Sequence, residues 1–273
     1  MISKERVRKI FRHEAPDRIG IFDFFDNLTL VNWEKQQLIK GQEPSDYFSF
    51  DLDFRKKNRD KNKFQVVSFN GPFQQLASEK KLQPALIDFI REPKRTGEFF
   101  KKSLDNIFSG YTVLKKSGVK PDAVFICEDI AYDNGLYFSI DKYKETLFAF
   151  HREISGYFKN EGLFTIFHCD GCVEQLVPFL VKAGFSGAHP LQEMPNPNLI
   201  KIKQDFKGAI TFIGGISLLR LKGLHEDIYD RVHELKEGAD YIFCFDGPIP
   251  QDTEFDAYRD IINHVETTGA YSK

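Results

Sequence analysis

Short apolar runs rich in Ile, Val and Phe alternate along this chain with longer stretches whose apolar residues recur at helical spacing. That rhythm constrains the fold more than any other feature. A strand followed by an amphipathic helix, repeated, builds a parallel sheet covered by helices. Eight strands are read at 19–25, 48–54, 65–70, 123–128, 164–168, 184–189, 209–214 and 241–245. Their near-continuous apolar character is that of parallel strands buried on both faces. Helices are read at 3–13, with Ser3 as a cap, and at 142–160, 173–183, 218–237 and 255–266. The fourth contains His225 and a break at Gly223. The stretch 55–63, RKKNRDKNK, is a solvated basic loop. Eight strands, most followed by a helix, in 273 residues point to a single-domain TIM-type (β/α)8 barrel. A doubly wound open sheet is the alternative, disfavoured because no glycine-rich phosphate turn follows an early strand.

Composition narrows the partners. With 28 Phe and 10 Tyr the chain can bury a large core, so it is not a disordered protein. A net charge of −2 supplies no basic field for nucleic acid or an acidic membrane. No apolar run approaches the roughly 20 residues of a membrane span. The charged N-terminus, MISKERVRKIFRHEAPDR, holds no apolar signal core, and four cysteines make no disulfide scaffold. The expectation is a reduced, cytoplasmic protein.

In a barrel of this kind the chemistry sits at the C-terminal ends of the strands. Those ends read Asp23-Phe24-Phe25-Asp26, Asp51 and Asp53, Cys127-Glu128-Asp129 followed by Tyr132-Asp133-Asn134-Gly135, and His168-Cys169-Asp170-Gly171-Cys172. The remaining three are His189-Pro190-Leu191-Gln192, Gly214-Gly215 and Cys244-Phe245-Asp246-Gly247. Apolar residues fill the strands and ionisable ones gather where they end, which points to an enzyme or a small-ligand binder. His168 and Asp170 alternate along a strand and share a face. They can bind a metal or act as a proton-transfer pair, and Cys172 supplies a third ligand for a zinc-type set of His168, Asp170 and Cys172. A structural reading stays open beside it, with His168 bonded to Asp170 or to a neighbouring strand end and the cysteines acting as small buried hydrophobes. Asp23, Asp26, Asp129, Asp133, Asp170 and Asp246 cannot all be charged and close without a metal, a cationic substrate or raised pKa values. Some of them would instead cap helices. The catalytic candidates are His168, Asp170, Asp129 and Asp246. The substrate-binding candidates are Asp23, Phe25, Asp26, Tyr132, Asn134, His189 and Gln192. The paired glycines admit either a planar ligand or phosphate against the backbone, or a tight turn.

Several of these segments keep one order from end to end: Arg6-Val7, Phe11-Arg12-His13-Glu14, Pro16-Asp17-Arg18-Ile19, Glu128-Asp129-Ile130-Ala131-Tyr132 and Asn134-Gly135-Leu136. Phe167-His168-Cys169-Asp170-Gly171, Pro190-Leu191-Gln192, Gly214-Gly215-Ile216 and Asp246 with Ile249-Pro250 and Asp252 complete them. In that order they resemble the uroporphyrinogen decarboxylase superfamily, with the region 51–120 shortened. The resemblance implies a TIM-type barrel and one of two chemistries. One is cofactor-free decarboxylation in the porphyrin pathway. The other is methyl transfer involving corrinoid proteins, methyl donors or thiol acceptors, in many members with zinc. The decarboxylases are similar to one another in an arginine-rich segment after strand one. Here that place reads Phe22-Asp23-Phe24-Phe25-Asp26-Asn27, which would repel an octa-anionic substrate. The zinc methyltransferases share a His-x-Cys and a later Cys, where this chain has His168-x-Asp170 and Gly247, a harder donor set.

The resemblance therefore implies the methyltransferase-like branch, moving a methyl group from a small methylated substrate to a corrinoid protein or thiol. His168 and Asp170 would position or activate the reacting group, with or without a metal, Asp129 and Asp246 would orient His168 or the substrate, and Asn134 and Gln192 would hold the ligand. A corrinoid partner protein and a homodimer are expected with it. A decarboxylase of a smaller substrate is the alternative, with Arg55-Lys56-Lys57 as its basic patch and no cofactor. A non-catalytic small-ligand-binding barrel is the third reading.

Overall fold

The structure is a computed structural model and describes every residue except 37, 40, 56–58, 224, 225, 272 and 273. Lys56 and Lys57 of the basic loop, and His225, lie outside the described residues. In chain order the first elements are α1 (Ser3–Phe11), β1 (Gly20–Ile21), α2 (Asn27–Lys35), α3 (Pro44–Tyr47), β2 (Leu52–Asp53) and β3 (Phe64–Asn70). Three helices follow, α4 (Pro72–Lys80), α5 (Leu82–Arg91) and α6 (Pro93–Lys116). Then come β4 (Ala123–Cys127), the hairpin β5 (Ala131–Tyr132) and β6 (Gly135–Leu136), α7 (Ile140–Thr146), α8 (Phe148–Asn160) and β7 (Phe164–His168). The chain continues through α9 (Val177–Ala183), β8 (Gly187–His189), α10 (Leu199–Asp205), β9 (Thr211–Ile213), a 3-10 turn at Leu218–Lys222, α11 (Glu226–Leu235), β10 (Tyr241–Phe243) and α12 (Phe255–Thr268).

Eight strands are hydrogen-bonded in the order β1-β10-β9-β8-β7-β4-β3-β2. This is the α/β TIM-type barrel of parallel strands. Between the first and last strands of that order, the Asp51 N–H donates to the Ile21 carbonyl at 2.8 Å. Among the described residues, no helix is long and apolar enough to cross a membrane. The chain divides into two compact units, Met1–Gln65 with Pro190–Lys273, and Val66–His189.

The first unit is organised around Asp51, which has no solvent exposure. Its Oδ1 accepts Arg6 Nη1 at 2.6 Å, and its Oδ2 accepts Arg18 Nη1 at 2.7 Å and the Ile21 N–H at 2.9 Å. Arg6 also forks onto Asp17, from Nε at 2.7 Å and Nη2 at 2.8 Å. The opening segment that carries the family resemblance is thus an ion cluster pinning α1 to β1. A second cluster is aromatic: Phe25, Trp33, Phe48, Phe50 and Tyr258 pack stacked, tilted or edge-on with centroids 5.0–6.1 Å apart. Their packing explains why the strand expected at 48–54 is short. Pro44 starts α3, Ser49 takes a positive φ of 52°, and only Leu52–Asp53 are extended. Side-chain packing here overrides the β propensity of the Phe-rich run.

In the second unit β3, β4, β7 and β8 pair in parallel register, so that Asn70, Cys127, His168 and His189 lie in one row. Three other expectations need correcting. The helix read at 142–160 is two, because Leu147 at φ −112° ends α7 and begins α8. The helix read at 173–183 starts only at Val177, before the proline at its second position. In the first unit, Ser3 lies inside α1 and does not cap it; Ile2 holds the cap position with no side-chain bond. The segment 72–116, read as part of a shortened region, carries three helices, with Lys81 at φ 69° separating α4 from α5.

Replacing Asp51 by Asn leaves two buried guanidinium groups facing a neutral amide. Loss of one partner of a buried ion cluster costs about 3–5 kcal/mol. Urea unfolding of Asp51→Asn is expected to show a loss of that size, and a change within experimental error would remove Asp51 from this central role.

Candidate active site

The cluster of chemical interest lies in the second unit, at the ends of β4 and β7. Burial drives the apolar parts of these strands into the core and leaves their C-terminal residues at the rim. One ligand atom each from Asp129, His168 and Asp170 lie within 4.8 Å of one another. His168 Nε2 is 3.7 Å from Asp129 Oδ1, and the same oxygen accepts the Asp170 N–H at 3.3 Å. The other face of His168 is fixed. Its Nδ1 is 2.8 Å from Nδ1 of His189, its register partner on β8, and its ring stacks on Phe125 at 5.2 Å. A bond between two ring nitrogens needs one as donor and one as acceptor. Burial, with the neighbouring His168, pushes the pKa of His189 well below the ordinary histidine value, so His189 is neutral near pH 7.

Asp170 is exposed on its outer side. The desolvation it does suffer, with the charge of Asp129, raises its carboxyl above the usual range, and His168 opposes that shift. Two carboxylates this close favour a cation or a retained proton. The sulfur atoms take no part. Among the described residues the three-ligand group contains Asp129 in the place expected for Cys172. Burial raises the Cys172 thiol, and burial with Asp129, Glu128 and Asp170 pushes Cys127 up to about 12. Cys169 is buried, its Sγ accepting the Ile130 N–H at 3.4 Å and donating to the Asp170 carbonyl at 3.3 Å. None of these is a thiolate near neutral pH.

Gly171 has a local reason. It sits at φ 92°, and a Cβ there would come within 2.8 Å of the Tyr132 backbone, whose carbonyl accepts the Cys172 N–H at 2.8 Å. The loop after β7 is thereby seated on the β5–β6 hairpin. Asn134 lies exposed at the tip of that hairpin, and Tyr132 stacks on Tyr137 at 5.7 Å.

Sequence reasoning passed over Glu128, His151 and Tyr143, all fully buried. The Glu128 carboxylate accepts the N–H groups of Phe73 at 3.1 Å and Gln74 at 2.9 Å, at the start of α4. His151 Nε2 is 3.0 Å from Glu128 Oε1, and His151 Nδ1 is 3.0 Å from the Tyr143 hydroxyl. A Cβ on Gly71 would run into that carboxylate. The signal for His151 was its place on the apolar face of α8, with Ile154 and Phe158.

The other candidates belong to the first unit. Asp246 Oδ1 accepts the Leu218 N–H at 2.9 Å and Oδ2 the Glu193 N–H at 3.4 Å, so it anchors loops; burial raises its carboxyl. Gln192 Nε2 donates to the Asp246 carbonyl at 3.2 Å. Asp26 caps α2 through the Leu28 N–H at 2.7 Å. Phe25 belongs to the aromatic cluster already described. Gly214, at φ 104°, has no room for a Cβ against the Pro190 carbonyl, so the close backbone approach there is made by the chain itself. Arg55, the described member of the expected basic patch, is bidentate on Asp53 at 2.9 Å and reaches Asp46 at 2.7 Å. Asp23 is buried, with Oδ1 accepting the Phe245 N–H and Oδ2 the Tyr258 hydroxyl, both at 2.7 Å. Burial pushes its pKa up to about 8 against those two bonds.

No family model matches the chain, and no curated protein matches its sequence. Among solved structures it is similar to a methyltransferase from Methanosarcina mazei, with a TM-score of 0.66 over 98% of each chain and 13% identity. At that identity the likeness describes the fold.

Asp23 carries a pH signature. Its carboxyl titrates near 8 in the fold and near ~4 in the unfolded chain. Between these values the folded state holds a proton that the unfolded state has lost. This contribution therefore lowers stability as pH rises from about 4 to about 8. Asn at position 23 mimics the protonated acid. Thermal unfolding of Asp23→Asn is expected to show a flatter decline across that window; a decline as steep as in the wild type would assign the titration to another group.

Proposed function

We propose that this chain is a methyltransferase-like enzyme that takes a methyl or other one-carbon group from a small methylated substrate. The acceptor is a corrinoid on a partner protein, or a thiol. The observation that carries the reading is the convergence of Asp129, His168 and Asp170 ligand atoms within 4.8 Å at the strand ends. The sequence resemblance, and the similarity of fold to a methyltransferase, supply the reaction class.

One imidazole and two carboxylates fit a divalent ion that accepts nitrogen and oxygen donors. Zinc accepts such a set, as do manganese and iron. When bound, the ion would act as a Lewis acid on the atom that bears the methyl group. The chain's own residues prepare the place. His189 holds His168 by its Nδ1, which leaves Nε2 facing Asp129. Such a bond to the far nitrogen is how proteins fix a ligating histidine in one orientation. The Asp170 N–H steadies Asp129. Protonated Cys127, Cys169 and Cys172 leave the site without a competing nucleophile.

Metal content by elemental analysis, on protein purified without chelator or affinity metal, tests the reading. Near-stoichiometric metal is expected in the wild type and less than about a tenth of it in His168→Ala, since removal of one of three protein ligands opens the site. Methylation of free cob(I)alamin from methylamine, methanol or a methoxylated donor, followed by absorbance, tests the reaction. Wild-type protein that takes up no divalent metal and methylates no corrinoid or thiol from any of these donors would overturn the proposal.

A further inference from the structure

Helix α5 of the second unit shows water an apolar face that the metal-site reading does not use. The helix packs Ala85 and Phe89 inward, where Phe89 meets Phe138 at 4.3 Å and Phe73 edge-on at 5.6 Å. Leu82, Leu86 and Ile90 follow one another at four-residue spacing, which sets them in a row along the helix, and Ile87 lies beside Ile90. Leu82 is 39% exposed, Ile87 47% and Ile90 50%, with Leu86 half-buried between them. Single exposed aliphatic residues need no explanation, but a row of them on one helix marks a surface that is covered in use.

Charge frames this ridge. Lys81 stands at its start and Arg91 at its end, followed by Lys94 and Arg95; all four are exposed, and none is in an ion pair. Asp88 lies on the side of α5 away from the row and is paired with Lys80. The exposed carboxylates nearby are Glu79 and Glu92, two against four cations. The chain's net charge of −2 conceals this local positive excess.

The charges decide what the ridge can meet. A twofold pairing of two α5 helices, antiparallel about Leu86, sets Lys81 of one copy against Arg91 of the other; a parallel pairing sets each against itself. Like charges meet in both, which disfavours a second copy. The ridge also lacks the aromatic side chains that anchor protein interfaces. A bilayer with anionic headgroups answers both halves of the surface. Aliphatic side chains enter the boundary between headgroups and acyl chains, and the lysines and arginines meet the headgroup charges. A helix of 10 residues lies on such a surface and does not span it.

We propose that α5 is a docking face for an anionic lipid surface, with Leu82, Leu86, Ile87 and Ile90 entering the headgroup boundary and Lys81, Arg91, Lys94 and Arg95 holding the headgroups. The inference stands apart from the metal site and survives or fails independently of it.

Sedimentation of the full chain with sucrose-loaded vesicles tests this. With phosphatidylcholine and phosphatidylserine at about two to one, in about 0.1 M salt, the protein is expected to pellet; with phosphatidylcholine alone it is expected to stay in solution. Raising the salt to about 0.5 M is expected to release it, because screening removes the charge contribution. The double variant Ile87→Ser, Ile90→Ser should lower the partition coefficient about tenfold or more. Arg91→Ala and Lys94→Ala should each lower it about fivefold. All four positions are exposed, so the circular dichroism of these variants is expected to match the wild type. Absence of pelleting with the mixed vesicles would overturn the proposal, as would pelleting that the isoleucine double variant leaves unchanged. Sedimentation velocity without lipid reads the competing outcome. A concentration-dependent dimer that Ile87→Ser, Ile90→Ser disperses would assign the ridge to a second copy and overturn the lipid assignment.

Discussion

Asp51 holds the first unit together. A carboxylate with no solvent exposure is tolerable only when its charge and lone pairs are answered, and here two guanidinium groups and a backbone N–H answer them. The consequence is geometric. Arg6 comes from α1, Arg18 from the approach to β1, and Asp51 itself precedes β2, so one side chain ties three separate stretches of the first 65 residues. The Asp51 backbone joins in from both ends, donating to Ile21 and accepting the Phe64 N–H at 2.9 Å. Two very short strands, β1 and β2, can therefore keep their places with few ladder bonds of their own.

What was legible in the sequence followed from periodicity and burial. The strands at 65–70, 123–128 and 164–168 are long apolar runs, and they match β3, β4 and β7 to within a residue at either end. The barrel class follows from the alternation that contains them. Legibility failed where local pattern and long-range packing disagree. Phe48 and Phe50 look like strand residues, yet their rings are needed in the cluster around Trp33 and Tyr258, the latter more than 200 residues further along the chain. Two of the three helices at 72–116 begin with prolines that read as loop punctuation, although a proline in the first turn of a helix costs little.

The candidate site shows the same division. His168 and Asp170 were visible as ionisable residues two apart at a strand end, although β7 itself stops at His168. Asp129 comes to them from the segment after β4, and its approach to within 4.8 Å depends on the register between β4 and β7 and on how the next loop is seated on the hairpin. Neither is written in local spacing. The role of His189 as a neutral imidazole bonded to His168 depends likewise on a strand pairing. Glu128 was in plain view beside Asp129, but the amides it holds lie 54 and 55 residues earlier in the chain.

That last placement has a consequence for what the barrel can recognise. The first amides of a helix are a ready seat for phosphate or another anion. At α4 the seat is taken by the protein's own carboxylate, which is itself braced by His151 and Tyr143. An incoming anion would have to evict a buried carboxylate that already has three hydrogen-bond partners. The helix end is thus an occupied berth: its first amides are spent on the fold itself and are not open to a ligand.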